Sequence, residues 1–182
     1  MTIPNILTLG RILLTPLLIW LLLDGNLKQA LFVFFIAGMT DGLDGLIARL
    51  FHQKSKLGAY LDPLADKLLL VSSFILLGHL GLVPDWLVIV TVSRDIMIVL
   101  GLMTLIFHEV SVEIRPSFFS KITTLMQLVT ILAVMGSPYA SLPEWGYSIL
   151  FFATAFFSVG SGIHYILIGI SLLETRRSNN EE

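Results

Sequence analysis

The sequence predicts an all-α membrane protein with six transmembrane helices and both termini in the cytoplasm. Three observations carry this. Hydrophobic residues make up 55% of the 182 and charged residues only 13%, against about 25% charged in soluble domains. The mean hydropathy is correspondingly high, +0.88. Apolar segments long enough to cross a bilayer alternate with short polar breaks along the whole chain. Cations and tryptophans then sort to opposite ends of those segments.

The first segment runs from about Asn5 to Leu23 and stops at Asp24-Gly25-Asn26, a run of turn formers. It lacks a basic leader and a small-residue cleavage site, so it is expected to be a retained helix and not a signal peptide. The second runs from about Leu27 to Leu50, and the third from Leu57 to Gly81. Pro84-Asp85-Trp86 opens the fourth, which reaches about Phe107. A polar stretch, His108 to Pro116, precedes the fifth, about Ser117 to Met135. Pro138 and Pro143 bracket the next turn, and the sixth segment spans about Trp145 to Leu173. The length allows one domain, residues 1–182, with the charged tail 174–182 expected to be flexible.

Lys54, Lys56, Arg115, Arg176 and Arg177 fall in one set of breaks, whereas the other set holds Lys28 with Asp24, Asp85 and Glu144. The positive-inside rule puts the first set in the cytoplasm. Trp20, Trp86 and Trp145 then mark the outer interface. A net charge of −2 gives no basis for nucleic-acid binding, and the absence of cysteine excludes disulfides and thiolate chemistry.

Against this apolar background, four aspartates stand out at 41, 44, 62 and 66. A carboxylate near the bilayer centre costs roughly 2.5–3.5 kcal/mol, so four uncompensated ones would cost roughly 10–14 kcal/mol. Asp41 and Asp44 are three apart, and Asp62 and Asp66 four apart, so each pair shares a helix face. The short link between segments two and three lets the pairs meet near the cytoplasmic side. Hard carboxylate oxygens suit Mg²⁺ or Mn²⁺. Four of them can hold two ions in the clamp used for in-line phosphoryl displacement. Ion pairing with Arg49, Lys67 and Arg94 is the alternative.

The string Asp41-Gly42-Leu43-Asp44-Gly45-Leu46-Ile47-Ala48-Arg49, eight residues, then Gly58-Ala59-Tyr60-Leu61-Asp62-Pro63-Leu64-Ala65-Asp66 resembles the signature of the CDP-alcohol phosphatidyltransferases. That signature is D-x-x-D-G-x-x-A-R, eight residues, G-x-x-x-D-x-x-x-D. Length and helix number fit as well. The resemblance implies CDP-diacylglycerol as donor, CMP as leaving product and a homodimeric enzyme. It implies a site facing the cytoplasm, as in a bacterial inner membrane.

The resemblance also distributes roles. Gly45, Ala48 and Gly58 line the cytidine nucleotide site, with Asp44 and Arg49 in contact with it; packing of small residues and snorkelling of Arg49 are the alternatives. A carboxylate must accept the proton of the attacking hydroxyl. Spacing does not choose among the four, and the family assigns this role to the last, Asp66. Pro4-Asn5-x-x-Thr8-x-x-Arg11 is similar to the family's opening, which brings Asn5 and Thr8 to the nucleotide unless they serve only as polar cap and interface residues.

Arg94, beside Asp95, and Lys121 are basic residues inside apolar segments, where such groups usually face the bundle interior or a wet cavity. They are candidates for binding an anionic acceptor, with pairing of Arg94 to an aspartate and snorkelling of Lys121 as alternatives. The run Arg115-Pro116-Ser117-Phe118-Phe119-Ser120-Lys121-Ile122-Thr123-Thr124-Leu125-Met126-Gln127 resembles the cardiolipin synthase branch and adds Arg115 to the acceptor contacts. The phosphatidylglycerophosphate synthase branch shares the opening and the Lys-x-x-Thr core. It typically has Arg-Glu where this chain has Arg94-Asp95, and often a further Arg where this chain has Leu100 to Met103. The balance leans to phosphatidylglycerol as acceptor, with glycerol 3-phosphate as the alternative. A small ion transporter, the remote alternative, should show inverted halves; here all four aspartates lie in one hairpin. The four histidines share no spacing and are expected to be surface or packing residues.

Overall fold

The computed structural model describes the backbone of residues 3–50, 56–107 and 118–180, and the side chains of residues 8–40, 64–101 and 119–167. Its described residues form six helices and no strand: α1 Ile3–Leu23, α2 Leu27–Leu50, α3 Lys56–His79, α4 Asp85–Phe107, α5 Phe118–Met135 and α6 Glu144–Asn180. Most boundaries fall within a few residues of the sequence expectation. The sixth helix does not. It continues through Asn180, beyond the expected stop at Leu173. The segment from Glu174 to Arg177 is charged but holds neither Gly nor Pro, and its Glu and Arg are good helix formers.

The turns at the tryptophan end are set by local chemistry. Gly25 and Gly81 adopt positive φ, 74° and 70°. Each closes its helix in the same way. Gly25 N–H donates to Leu22 C=O and Asn26 N–H to Leu21 C=O; Gly81 N–H donates to Gly78 C=O and Leu82 N–H to Leu77 C=O. This paired pattern satisfies carbonyls that a helix end would otherwise leave open. It also explains why α3 stops at His79 and not at Gly81. Pro84 and Pro143 start α4 and α6, their carbonyls accepting the first amide bonds of each helix.

α1 packs on both α2 and α3, α4 and α5 pack on α6, and α3 packs on α4. α5 also reaches α2 and α3, which joins the halves. The interior has two tiers. Toward the tryptophan end, Leu18, Leu22, Phe34, Phe74, Leu77, Leu87 and Ile131 form an apolar core. Toward the other end the buried side chains are polar: Arg11, Arg94, Asp95, Thr123, Gln127 and Ser161. The outside is apolar instead, with Leu13 68%, Phe32 66% and Phe156 73% exposed. Such a surface calls for an apolar surrounding.

By length and composition, one stretch among the described residues, Glu144–Leu167, is long and apolar enough to cross a membrane. Thr8–Leu23, Leu27–Thr40 and Phe119–Met135 are shorter apolar stretches.

Gly81→Ala would force an L side chain into the left-handed region, at a cost of about 1–2 kcal/mol. It should lower the melting temperature of the detergent-purified protein. Gly101→Ala, in a helix with nothing within 4 Å of an added Cβ, should not. Equal melting temperatures for Gly81→Ala and the parent would contradict this account of the turn.

Candidate functional site

The aspartate string is carried by the end of α2 and the start of α3, which follow one another in the chain. Asp41, Asp44, Gly45, Ala48 and Arg49 lie in the last turns of α2, and Gly58, Asp62 and Asp66 in the first turns of α3. Helical backbone at all these positions keeps the expected pairing of faces. The side chains of Asn5, Asp41, Asp44, Arg49 and Asp62 lie outside the described residues, as does the whole of Arg115.

Within the string, Asp66 is the aspartate whose side chain is described. It is part-exposed, and its carboxylate accepts a hydrogen bond and ion pair from the guanidinium of Arg11 on α1. Arg11 is 1% exposed. Its position follows from periodicity: Thr8, Arg11, Thr15, Leu18 and Leu22 are all buried, and their alternating spacings of three and four put them on one stripe of α1. The stripe is polar where it meets the aspartate hairpin and apolar where it meets the core. Thr8 lies one turn before Arg11 on this stripe. Arg11 was legible only as part of the opening motif, although a cation on the buried stripe of an apolar helix is itself a signal.

A second polar centre lies across α3. Asp95, 2% exposed, accepts from Lys67 Nζ at 2.5 Å, Arg94 Nη1 at 2.6 Å and Gln127 Nε2 at 3.3 Å. Arg94 Nη2 also donates to Ser161 at 2.7 Å and Ser120 at 3.0 Å. This one carboxylate thus ties α3, α4 and α5 together, and Arg94 extends the tie to α6. Thr123 Oγ1 donates to the Phe157 carbonyl at 2.9 Å, and Thr130 and Thr154 share a 2.7 Å bond, both reinforcing α5 on α6. Among the described residues, Arg94 and Lys67 pair with Asp95. Lys121 sits on α5 as an exposed residue.

The chemistry of the donor set fits two hard divalent cations: four carboxylates on consecutive helices, with a part-exposed member at Asp66. The small residues beside them leave room for a ligand to approach the backbone.

Residues 1–163 match a family model described as CDP-alcohol phosphatidyltransferase. The chain is 36% identical to the cardiolipin synthase (CMP-forming) of Rattus norvegicus over 185 residues, covering 92% of this chain and 61% of that protein. It is 30% identical to the CDP-diacylglycerol--glycerol-3-phosphate 3-phosphatidyltransferase of Bacillus subtilis, covering 95% and 97% of the two chains. A protein of that description from Aquifex aeolicus is 33% identical over 74% of this chain and 75% of its own. The chain thus spans about 61% of the rat protein but nearly all of the Bacillus one.

Removing one member of a buried charge cluster strands its partners, at a cost of about 3–5 kcal/mol. Asp95→Ala leaves two cations without their shared carboxylate and should destabilise by about that much. Lys67→Ala should cost less, because Asp95 keeps Arg94. Thermal unfolding in detergent checks this order, and the reverse order would contradict the assignment of Asp95 as the hub.

Proposed function

The chain belongs to the CDP-alcohol phosphatidyltransferase family, and from that premise we propose that it transfers the phosphatidyl group of CDP-diacylglycerol to an alcohol, releasing CMP. The observation that carries this is the aspartate string, held on α2 and α3 with Asp66 anchored to the buried Arg11. The helices are proposed to cross the bilayer six times with both termini in the cytoplasm, which puts the string within reach of a soluble nucleotide product. A homodimer in a bacterial inner membrane is proposed with it.

Asp41, Asp44, Asp62 and Asp66 would hold two Mg²⁺ or Mn²⁺ ions. When bound, these neutralise the pyrophosphate of the donor and the charge that develops on departing CMP. Asn5, Thr8, Asp44, Gly45, Ala48, Arg49 and Gly58 would seat the cytidine nucleotide. Asp66 takes the proton of the acceptor hydroxyl. The hydroxyl oxygen forms its bond to phosphorus as the bond from that phosphorus to CMP breaks. Arg11 holds the Asp66 side chain in place for this step. Arg94, Arg115 and Lys121 are the cations the sequence offers for the acceptor's phosphate; Arg94 itself is buried against Asp95, Ser120 and Ser161.

Phosphatidylglycerol is the preferred acceptor, which makes the product cardiolipin. The run from Arg115 to Gln127 and the Arg94-Asp95 pair support this, as does the likeness to the rat cardiolipin synthase. Glycerol 3-phosphate is the second reading. The nearly end-to-end match to the Bacillus protein favours it.

Purified protein given CDP-diacylglycerol, Mg²⁺ and phosphatidylglycerol should yield cardiolipin and CMP. Formation of phosphatidylglycerophosphate from glycerol 3-phosphate, with no cardiolipin, would replace the first acceptor reading by the second. Asp66→Asn should lower turnover about 10²–10⁴-fold, the usual worth of a positioned base, while CDP-diacylglycerol still binds. Turnover near that of the parent would remove Asp66 as the base.

A further inference from the structure

A cleft of about 210 Å³ opens between α3 and α4. Its walls are Leu64, Leu68, Val71, Ile96 and Val99, and Lys67 and Asp95 line it as well. Leu68 and Ile96 are half exposed, 51% and 50%, so the mouth opens sideways through the apolar surface of the bundle. The cleft therefore joins an outer apolar channel to the buried charge cluster.

The charge of that cluster does not cancel. Asp95 offers one negative charge to two cations, Lys67 and Arg94. One net positive charge remains, beside an apolar channel. Lys67 is the cation that lines the cleft, and its ammonium has three donors, of which Asp95 takes one. Lys67 also follows Asp66 directly in the chain, one helical step around α3.

We propose that the α3–α4 cleft binds an anionic glycerophospholipid, with its phosphodiester on Lys67 and the start of one acyl chain against Leu68, Val71, Ile96 and Val99. A phosphodiester carries one negative charge, which matches the one left over by the cluster. The pyrophosphate of the donor carries more and has the aspartate site to receive it. Occupied in this way, the cleft holds a headgroup on the residue that follows Asp66 in α3. Resting on the acceptor reading above, the lipid is the acceptor phosphatidylglycerol, which reaches the site laterally from the bilayer. Lys67 is then a specificity residue for the acceptor, and Asp95 the group that positions it.

The test uses the full-length protein in nanodiscs with a photoreactive benzoylphenylalanine at Val71 or Ile96. Discs hold equal mole fractions of phosphatidylglycerol and phosphatidylcholine, without CDP-diacylglycerol. Adducts with phosphatidylglycerol should exceed those with phosphatidylcholine at least fivefold. Lys67→Met should abolish the preference, and Lys67→Arg should keep it. Equal labelling of the two lipids, or crosslinks chiefly to a second copy of the chain, would overturn the proposal. Turnover gives an independent reading. Lys67→Met should raise the phosphatidylglycerol concentration needed for half-maximal rate about tenfold and leave that for CDP-diacylglycerol within twofold. An equal rise for both substrates would overturn the role of Lys67. The adducts need no turnover, so an enzyme that used only glycerol 3-phosphate would defeat the acceptor reading while phosphatidylglycerol-selective adducts still upheld the cleft.

Discussion

Charge buried in an apolar envelope must be met by a counter-charge, from the protein or from a bound ligand, and this constraint organises the whole bundle. The outer surface is Leu, Ile, Phe and Trp, so no ionised group can be turned outward along most of its length. Arg11 on α1 meets Asp66 on α3, and Asp95 on α4 collects Lys67 from α3 and Arg94 from its own helix. α3 takes part in both arrangements. It is held from one side by α1 and from the other by α4, and its aspartate-bearing end is fixed between them.

The two-tier interior follows from the same constraint. Ordinary apolar packing suffices at the tryptophan end, where Leu22, Phe34, Phe74 and Leu87 close the core. At the other end the helices are tied by directed bonds: Arg94 to Ser161, Gln127 to Asp95, Thr123 to the Phe157 carbonyl. These bonds demand one geometry where apolar contact would tolerate several. A site that must hold reacting groups in register gains from being built on the directed half.

The helices were legible because their signals are local. Apolar runs mark their length, and Gly25, Pro84 and Pro143 mark their ends within a residue or two. The end of α6 is less legible, because charge at Glu174 to Arg177 reads as a tail whereas no residue there stops a helix before Asn180. The aspartate string was legible as a pattern, since its spacing lies within one hairpin. The pairing of Asp66 was not. Its partner Arg11 is 55 residues away, and Lys67 and Asp95 are 28 apart. Both pairings depend on which helices touch, which no single segment encodes. The stripe of Thr8, Arg11, Thr15 and Leu18 on one helix face was the available clue to the first.

The central claim is that the four aspartates form a two-metal centre for phosphatidyl transfer. Anomalous diffraction at the manganese edge, on crystals of the active protein grown with Mn²⁺ and CDP-diacylglycerol, tests it most directly. Two peaks about 3.5–4 Å apart, ligated by Asp41, Asp44, Asp62 and Asp66, are the predicted result. Full occupancy of the nucleotide with no manganese at these aspartates would contradict the account.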